Sequence, residues 1–494
     1  MPAGALIERV RRRVATTDGS LAKALRIDRP GSAGDLPRLV CETAPAPELA
    51  VIAATERVVQ PLAAIAETAG WRVRTLVIDG AEILKAATSL ADRRVDAILA
   101  GAAEPPGADE RSLVGELSVL VAATTERRPD LVTVLAGGLA ASGGRTEALF
   151  RPERPGPTVL APSPVLDGGE PLRALLDSLR GGEADGRRAL SAAVGSLAQV
   201  LRRRIELLEI GQNGGTRALA SWHPGSGPSV RTAVVARAAL LPRPFTDKDL
   251  DDVIGWLPIA LDRLRTRDRL RELAIAPWGD AAGDGAILRM AAARAAAGRL
   301  LALTPAFVDL PAPDLVVASG GAWLAGPATA AALAVADAVR RPGSRAIGLD
   351  HARVLAPIGT IEDEGDRVRL LADLRDDLLV PLGTVVMAAG MRSTRTAGVL
   401  TVHGAGGPTD AELVPGGVDL VDVPPGERAT VELRFRDPVD VGVRARHLAL
   451  EVTGGLGGLM VDLRDVPLRL PERLEPRRDL LASWQAAVWP GLDQ

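Results

Sequence analysis

Three segments of the 494-residue chain share one plan: an aspartate, four or more mostly apolar residues, then small residues with glycine. They are Asp96-Ala-Ile-Leu-Ala-Gly101, Asp130-Leu-Val-Thr-Val-Leu-Ala-Gly-Gly138 and Asp314-Leu-Val-Val-Ala-Ser-Gly-Gly321. A run that is apolar at nearly every position, rather than at every second one, is buried on both faces. These segments therefore read as inner strands of a sheet covered by helices, which restricts the chain to an α/β architecture. Glycine at the end of such a strand marks a turn where backbone comes close to a ligand or to the next element. Each segment alone is an ordinary strand-to-helix turn, but three of them in two halves of the chain suggest a duplicated design.

The pattern between them agrees. Leu49–Ala53 and Val73–Ile78 read as strands, whereas Val58–Ala69, Ala81–Arg93 and Glu110–Glu126 have helical spacing. Residues 1–45 form a weakly structured entrance, a basic helix at Leu6–Ala24 followed by Gly/Pro punctuation. A first α/β lobe is expected over 46–188 and a second over 189–378, with a helical insert at 246–303. From residue 379 the chain turns rich in Val, Gly and Pro, which predicts a β-rich module over 379–494 with a terminal helix.

Composition removes several classes of function. Apolar residues make up 47% and charged residues 24%, the usage of a folded globular chain. With 59 basic and 62 acidic residues the formal charge is −3, so nothing global attracts nucleic acid or anionic lipid. Seven tryptophans, four phenylalanines and no tyrosine leave few platforms for stacking bases. The greasiest stretches, such as Ala328–Val339, are too short to cross a bilayer, and no apolar stretch of signal-peptide length follows Arg9–Arg13. No membrane role is expected, and the expected location is the cytoplasm.

Cys41 is the single cysteine and reads as a small buried residue. His223, His351, His403 and His447 are far apart, so no transition-metal signature is present. There is no P-loop, and Pro224-Gly-Ser226-Gly lacks the spacing of a nucleophile elbow. Glu362-Asp-Glu364 with Asp366 reads as a solvated acidic turn, Arg202–Arg204 as a hydrated helix face, and Gly454–Gly458 as a structural turn. The sharpest local feature is Glu209-Ile-Gly-Gln-Asn-Gly-Gly-Thr216, between the strand candidates Ile205–Ile210 and Arg217–Ser221. It predicts a β-hairpin with an amide-rich tip.

Further segments carry a family resemblance. Ala429-Thr-Val-Glu-Leu-Arg-Phe435, then Leu450-Glu-Val-Thr-Gly-Gly-Leu-Gly-Gly-Leu-Met-Val-Asp-Leu-Arg-Asp-Val-Pro-Leu-Arg-Leu-Pro-Glu472 and Trp484, resemble the C-terminal region of glutamate mutase L proteins. The resemblance extends to Asp314–Gly321, Pro381–Val386 and the block 247–303, and more loosely to 95–220, about three quarters of the chain. It implies the fold of the actin, sugar-kinase and Hsp70 superfamily: two ribonuclease H-like α/β lobes with ATP and magnesium between them. It also implies a partner, a coenzyme B12-dependent mutase that an ATP-driven chaperone reactivates.

Residue by residue, the implied site is altered. The family's second phosphate hairpin reads Asp-Val-Gly-Gly-Ala-Thr-Thr; here Glu209, Gly211, Gly214, Gly215 and Thr216 stand in its place, with glutamate for aspartate. In the first lobe, Thr16-Thr-Asp18-Gly-Ser20-Leu-Ala-Lys23 replaces Asp-x-Gly-Ser-Thr-Thr-Thr-Lys with no apolar strand before it, so that lobe is expected to be truncated. Ser319, Gly320 and Gly321 resemble the adenosine-side glycines. Phosphoryl transfer depends on placed charge that glycines alone do not supply. The expectation is a degenerate member of the family, a scaffold or accessory partner with weak or no nucleotide turnover; the alternative is the ATP-dependent reactivation chaperone.

Overall fold

A computed structural model describes residues 5–10, 25–28, 38–41, 47–78, 83–92, 94–105, 107–128, 131–141, 158–161, 163–179, 186–212, 214–225, 227–242, 245–275, 283–304, 310–361, 363–391, 396–404 and 407–489. The Asp18–Lys23 segment and Asp130 lie outside them. The chain divides into two compact units, residues 43–185 with 233–236 in one and residues 1–42, 186–232 and 237–494 in the other. In the second unit, β1 (Leu25–Asp28) pairs antiparallel with β2 (Arg38–Cys41).

The unit of residues 43–185 is built on five parallel strands: β3 (Glu48–Ala53), β4 (Arg72–Val77), β5 (Val95–Ala102), β6 (Val132–Gly137) and β7 (Thr158–Leu160). Their order is β4-β3-β5-β6-β7, a doubly wound sheet whose direction of growth reverses at β3. Leu49, Val51, Ala97, Leu99 and Val134 point to one face, under α1 (Glu56–Thr68) and, further along, a helix at Glu170–Leu179. Ala50, Ile52, Ile98, Ala100 and Leu135 point to the other, under α2 (Ile83–Leu90) and α3 (Ala108–Arg127). The period of two along a strand thus serves two cores, which is why these strands read as unbroken apolar runs. The helix at Glu170–Leu179 is α4; Trp71 ties the chain to it by donating from Nε1 to the Leu176 carbonyl at 2.9 Å.

The second unit carries eight strands in the order β10-β9-β8-β11-β12-β13-β19-β16. β8 (Ile205–Ile210) and β9 (Gly215–His223) form an antiparallel hairpin flanked by β10 (Gly227–Val235). β11 (Leu315–Ser319) and β12 (Gly343–Leu349) follow parallel to β8, and β13 (Val380–Met387) is antiparallel to β12. β14 (Gly398–Gly404), β15 (Gly407–Leu413), β17 (Arg428–Asp440) and β18 (Arg444–Thr453) form a separate four-stranded antiparallel sheet. β16 (Val418–Val421) and β19 (Leu459–Asp462) leave that sheet to extend the eight-stranded one. The residues after 379 thus supply β13, β16 and β19 to the eight-stranded sheet as well as the antiparallel, β-rich sheet expected there.

One face of the eight-stranded sheet packs on α5 (Gly186–Leu201) and on helices at Leu355–Gly359 and Glu364–Asp373. Residues 5–10 are helical, and Leu6, Ile7 and Val10 are buried in this same core. Arg9 donates to the Asp373 carbonyl at 3.1 Å and pairs with Asp377 at 3.3 Å. The described start of the chain is thus core, in place of the loose entrance expected from its charge, because its three apolar residues share one helical face.

The helical block expected over 246–303 consists of α6 (Asp247–Ile254), α7 (Arg263–Ile275) and α8 (Gly283–Ala302). α8 is buried on all sides from Gly285 to Ala297, which its alanines and glycines permit. Against it lies α9 (Ala328–Ala338), and the layer beneath them is charged. Arg217 pairs with Glu206 at 2.7 Å and reaches the Thr304 carbonyl at 3.2 Å. Arg464 bridges Asp462 and Asp337, both at 2.7 Å; Arg340 adds a contact to Asp462 at 2.6 Å and Arg294 one to Asp337 at 2.7 Å. All five side chains are under a tenth exposed. Burial works against the charge of Asp462, yet Arg464 and Arg340 hold its carboxyl below the ordinary range. The helices at Leu355–Gly359 and Glu364–Asp373 are α10 and α11, and α12 (Leu474–Val488) closes the chain, with Trp484 under Arg464 at 4.7 Å.

The two sheets do not repeat each other: one is all parallel, the other begins with an antiparallel hairpin. The shared segments encode strand ends only. Asp96 accepts the Glu48 amide at 2.7 Å, and Asp314 accepts the Arg204 amide at 3.0 Å and its guanidinium at 2.7 Å. At the other ends, Gly137 (φ +59°) and Gly320 (φ +92°) lie where a Cβ would overlap the Ala102 and Ile210 carbonyl oxygens of the neighbouring strands. The close approach that the glycines signalled is to adjacent backbone.

Asp462→Ala leaves Arg464 and Arg340 buried without their shared carboxylate. Urea unfolding is expected to show a loss of about 3–5 kcal/mol; a loss below about 1 kcal/mol would mean that water replaces the carboxylate.

Candidate functional site

The C-terminal ends of β8, β11 and β12, with the β8–β9 turn, bring together the second-hairpin and adenosine-side residues that the resemblance singled out, Glu209, Gly211, Gly214, Gly215, Thr216, Ser319, Gly320 and Gly321. Glu209 faces Thr216 across the antiparallel hairpin and Ser319 across the parallel pair, and Ile210 faces Gly215. Gly320 follows Ser319, and Gly321 opens a short 3-10 turn that ends at Leu324. Asn213 at the hairpin tip lies outside the described residues.

The geometry adds one residue that the sequence reading did not single out. Asp350, the first residue after β12, is 1% exposed. Its Oδ2 accepts the Ser319 hydroxyl at 3.0 Å and the Leu355 amide at 3.3 Å, its Oδ1 accepts the Val354 amide at 3.0 Å, and its own amide donates to the Ala318 carbonyl at 2.9 Å. It clamps the loop after β12 to the end of β11. The available signal was an acid directly following the apolar run Ala346–Leu349; attention to aspartates before strands and glycines after them passed over it.

Both carboxyl groups are pushed up. Burial raises Glu209 to about 7; the Thr216 hydroxyl works in the opposite direction and the charge of Asp350 adds to the rise. Burial also raises Asp350, against the pull of the Val354, Ser319 and Leu355 donors. A charge on Asp350 makes Glu209 harder to ionise, so the two carboxyls do not both ionise cheaply.

Most of the turn is already filled by the protein. The Gly211 amide donates to the Gly214 carbonyl at 2.9 Å and the Gly211 carbonyl accepts the Leu240 amide at 2.8 Å. A Cβ on Gly211 would come within 2.8 Å of Glu209 Oε1, and one on Gly215 within 2.9 Å of the Ala238 Cβ. At Gly321 a Cβ would meet open space. Magnesium prefers several hard oxygens held octahedrally. The donor set here does not suit it: Asp350 has both oxygens engaged by backbone amides, and burial holds Glu209 toward its neutral form.

Other residues from the sequence have structural roles. Asp363 caps α11 by accepting the Asp366 amide at 2.7 Å, and Asp366 pairs with Arg369. Glu362 and Ser226 lie outside the described residues, as does the side chain of Cys41. Arg202 stacks over Trp222 at 5.5 Å and Arg204 pairs with Asp314. In the Gly454–Gly458 turn, the Leu456 and Gly457 amides donate to Pro381 and Leu382 carbonyls at 2.9 and 2.8 Å.

Glu209 makes a signed pH prediction. Its carboxyl rises from 4.5 to about 7 on folding, so the penalty is absent below pH 4.5, grows as pH rises and is complete above 7. At most about 3 kcal/mol is involved. Glu209→Gln is expected to remove this part of the slope and to be the more stable protein at pH 8 by denaturant midpoint; an unchanged slope would place the group in water.

Compared with known proteins, the chain matches no protein-family model and no curated protein.

Proposed function

We propose that the chain is a scaffold or accessory protein of the glutamate mutase L type, with weak or no nucleotide turnover, serving a coenzyme B12-dependent mutase as partner. The observation that carries this reading is the engagement of the would-be catalytic edge by the protein itself. Asp350 is held by three donors, Gly211 closes on Gly214, and the glycines at 215 and 320 make room for Ala238 and Ile210. Phosphoryl transfer needs free amides and placed charge at the phosphates.

The sheet topologies support the same reading. The superfamily places a phosphate hairpin in each lobe. An antiparallel hairpin opens the eight-stranded sheet, whereas the five described strands of the other are parallel throughout. Among the described residues, a glycine-rich hairpin joined to the main sheet occurs in the eight-stranded sheet and not in the five-stranded one, which suits a surface for partners better than a two-lobed catalyst.

Isothermal titration with magnesium ATP tests it. Heat is expected only at millimolar nucleotide, if at all, with no hydrolysis above background. Micromolar affinity, about −8 kcal/mol, that is lost in Gly320→Val and accompanied by turnover would overturn the scaffold reading in favour of the ATP-dependent reactivation chaperone.

A further inference from the structure

We propose that the free edge of β18 is the docking surface for a second copy of this chain, the two β18 strands pairing antiparallel about a two-fold axis at Ala449. The proposal requires neither a nucleotide nor a mutase and stands apart from the reading above.

The edge itself is open. β18 runs for ten residues without a proline and closes the sheet order β15-β14-β17-β18, with β17 on one side. Among the described residues, no backbone group from 445 to 452 bonds to backbone outside the β17–β18 pair. Such a strand presents a row of donors and acceptors that another strand can satisfy. The opposite edge of the same sheet is guarded. β15 contains Pro408, which has no amide to donate, and exposes Asp410 and Glu412 on a strand that carries no cation. Two copies of β15 would therefore repel, which leaves β18 as the edge fit for self-pairing.

The sequence of β18 selects one register. Leu448 and Leu450 are half-buried against the core on the inner face, while His447, Ala449 and Glu451 are exposed on the outer one. His447 Nε2 lies 3.7 Å from Glu432 Oε2 on β17, which places the imidazole on that outer face. A second strand that continues the sheet must keep these faces, so the axis stands perpendicular to the sheet and one residue meets its own copy. Centred on Ala449, the pairing sets Leu448 opposite Leu450 of the second copy on the inner face. On the outer face it sets His447 opposite Glu451, and symmetry makes each pair twice. Ala449, the smallest side chain between 447 and 451, is the one that meets itself. Arg444 and Arg446 fall opposite Gly454 and Val452, not opposite each other. Moving the axis to Leu448 or to Leu450 would set Glu451 against Ala445 or Ala449, with no cation facing it. Opposite charges across a strand pair stabilise it and a closed two-fold leaves no edge for a third copy.

Sedimentation equilibrium of the full chain is the test. One reversible step to twice the chain mass is expected. Glu451→Arg, at an exposed position, should raise the dissociation constant about tenfold. The exchanged pair, His447→Glu with Glu451→Arg, should restore it. In a Cys41→Ser background, a short bismaleimide should join Ala449→Cys to its own copy, since facing residues of paired strands lie about 5 Å apart at Cβ. Val443→Cys, exposed at the end of the β17–β18 hairpin, should stay unlinked. A chain that remains monomeric, that assembles beyond two copies, that dimerises equally well as Glu451→Arg, that is not rescued by the exchanged pair, or that links at 443 in preference to 449 would overturn the proposal.

Discussion

The second unit depends on a buried knot of charge. Arg294, Arg340 and Arg464 meet Asp337 and Asp462 between the sheet and its helices, with all five side chains under a tenth exposed. Taking such groups out of water costs several kcal/mol each, and the attraction repays that only where geometry is close and every partner is present. The result is an arrangement that is weak as a source of net stability and strict as a constraint on position. Helix α8 supplies Arg294, α9 supplies Asp337, β19 ends in Asp462, and Arg340 and Arg464 follow α9 and β19. A register slip of one residue in β19 would turn Asp462 to the opposite face and leave Arg340 without its carboxylate. The late strands can therefore join the eight-stranded sheet in one way only.

That knot bears on the resemblance. The segment Leu459-Met-Val-Asp-Leu-Arg464 belongs to the stretch on which the expectation of a glutamate mutase L type rested, and it is the segment that carries Asp462 and Arg464. A distinctive sequence can thus record a demand of packing. The same holds for the glycines. Those at 137 and 320 answer to a neighbouring carbonyl, and those at 211 and 215 to Glu209 and Ala238.

Much of the layout was legible. Runs such as Leu49–Ala53 and Leu315–Ser319 are apolar because alternate residues feed cores on opposite faces, and that pattern survives in one dimension. The β8–β9 hairpin was readable from its glycine-rich turn. Strand order and direction were not, since Asp-apolar-Gly describes how a strand ends without saying which strand lies beside it. The site was legible in part: the expected hairpin sets Glu209 beside Thr216, but Ser319 comes beside Glu209 only through the β8–β11 pairing, and Asp350 joins from 31 residues beyond Ser319, through a loop clamp that leaves no local motif. The composition after residue 379 pointed to a β-rich segment but carried no sign that β13, β16 and β19 join the sheet of the preceding strands.

The chain path itself has a consequence in time. The unit that contains residues 5–10 resumes only at Gly186, after the whole of the other unit, and Leu6, Ile7 and Val10 pack against Leu355, Leu370 and Leu371. On a ribosome adding roughly 5–20 residues each second, the opening helix waits roughly 20–70 s for those partners to emerge. During that interval its apolar face has no native core to enter, while the five parallel strands of the interrupting unit are already complete.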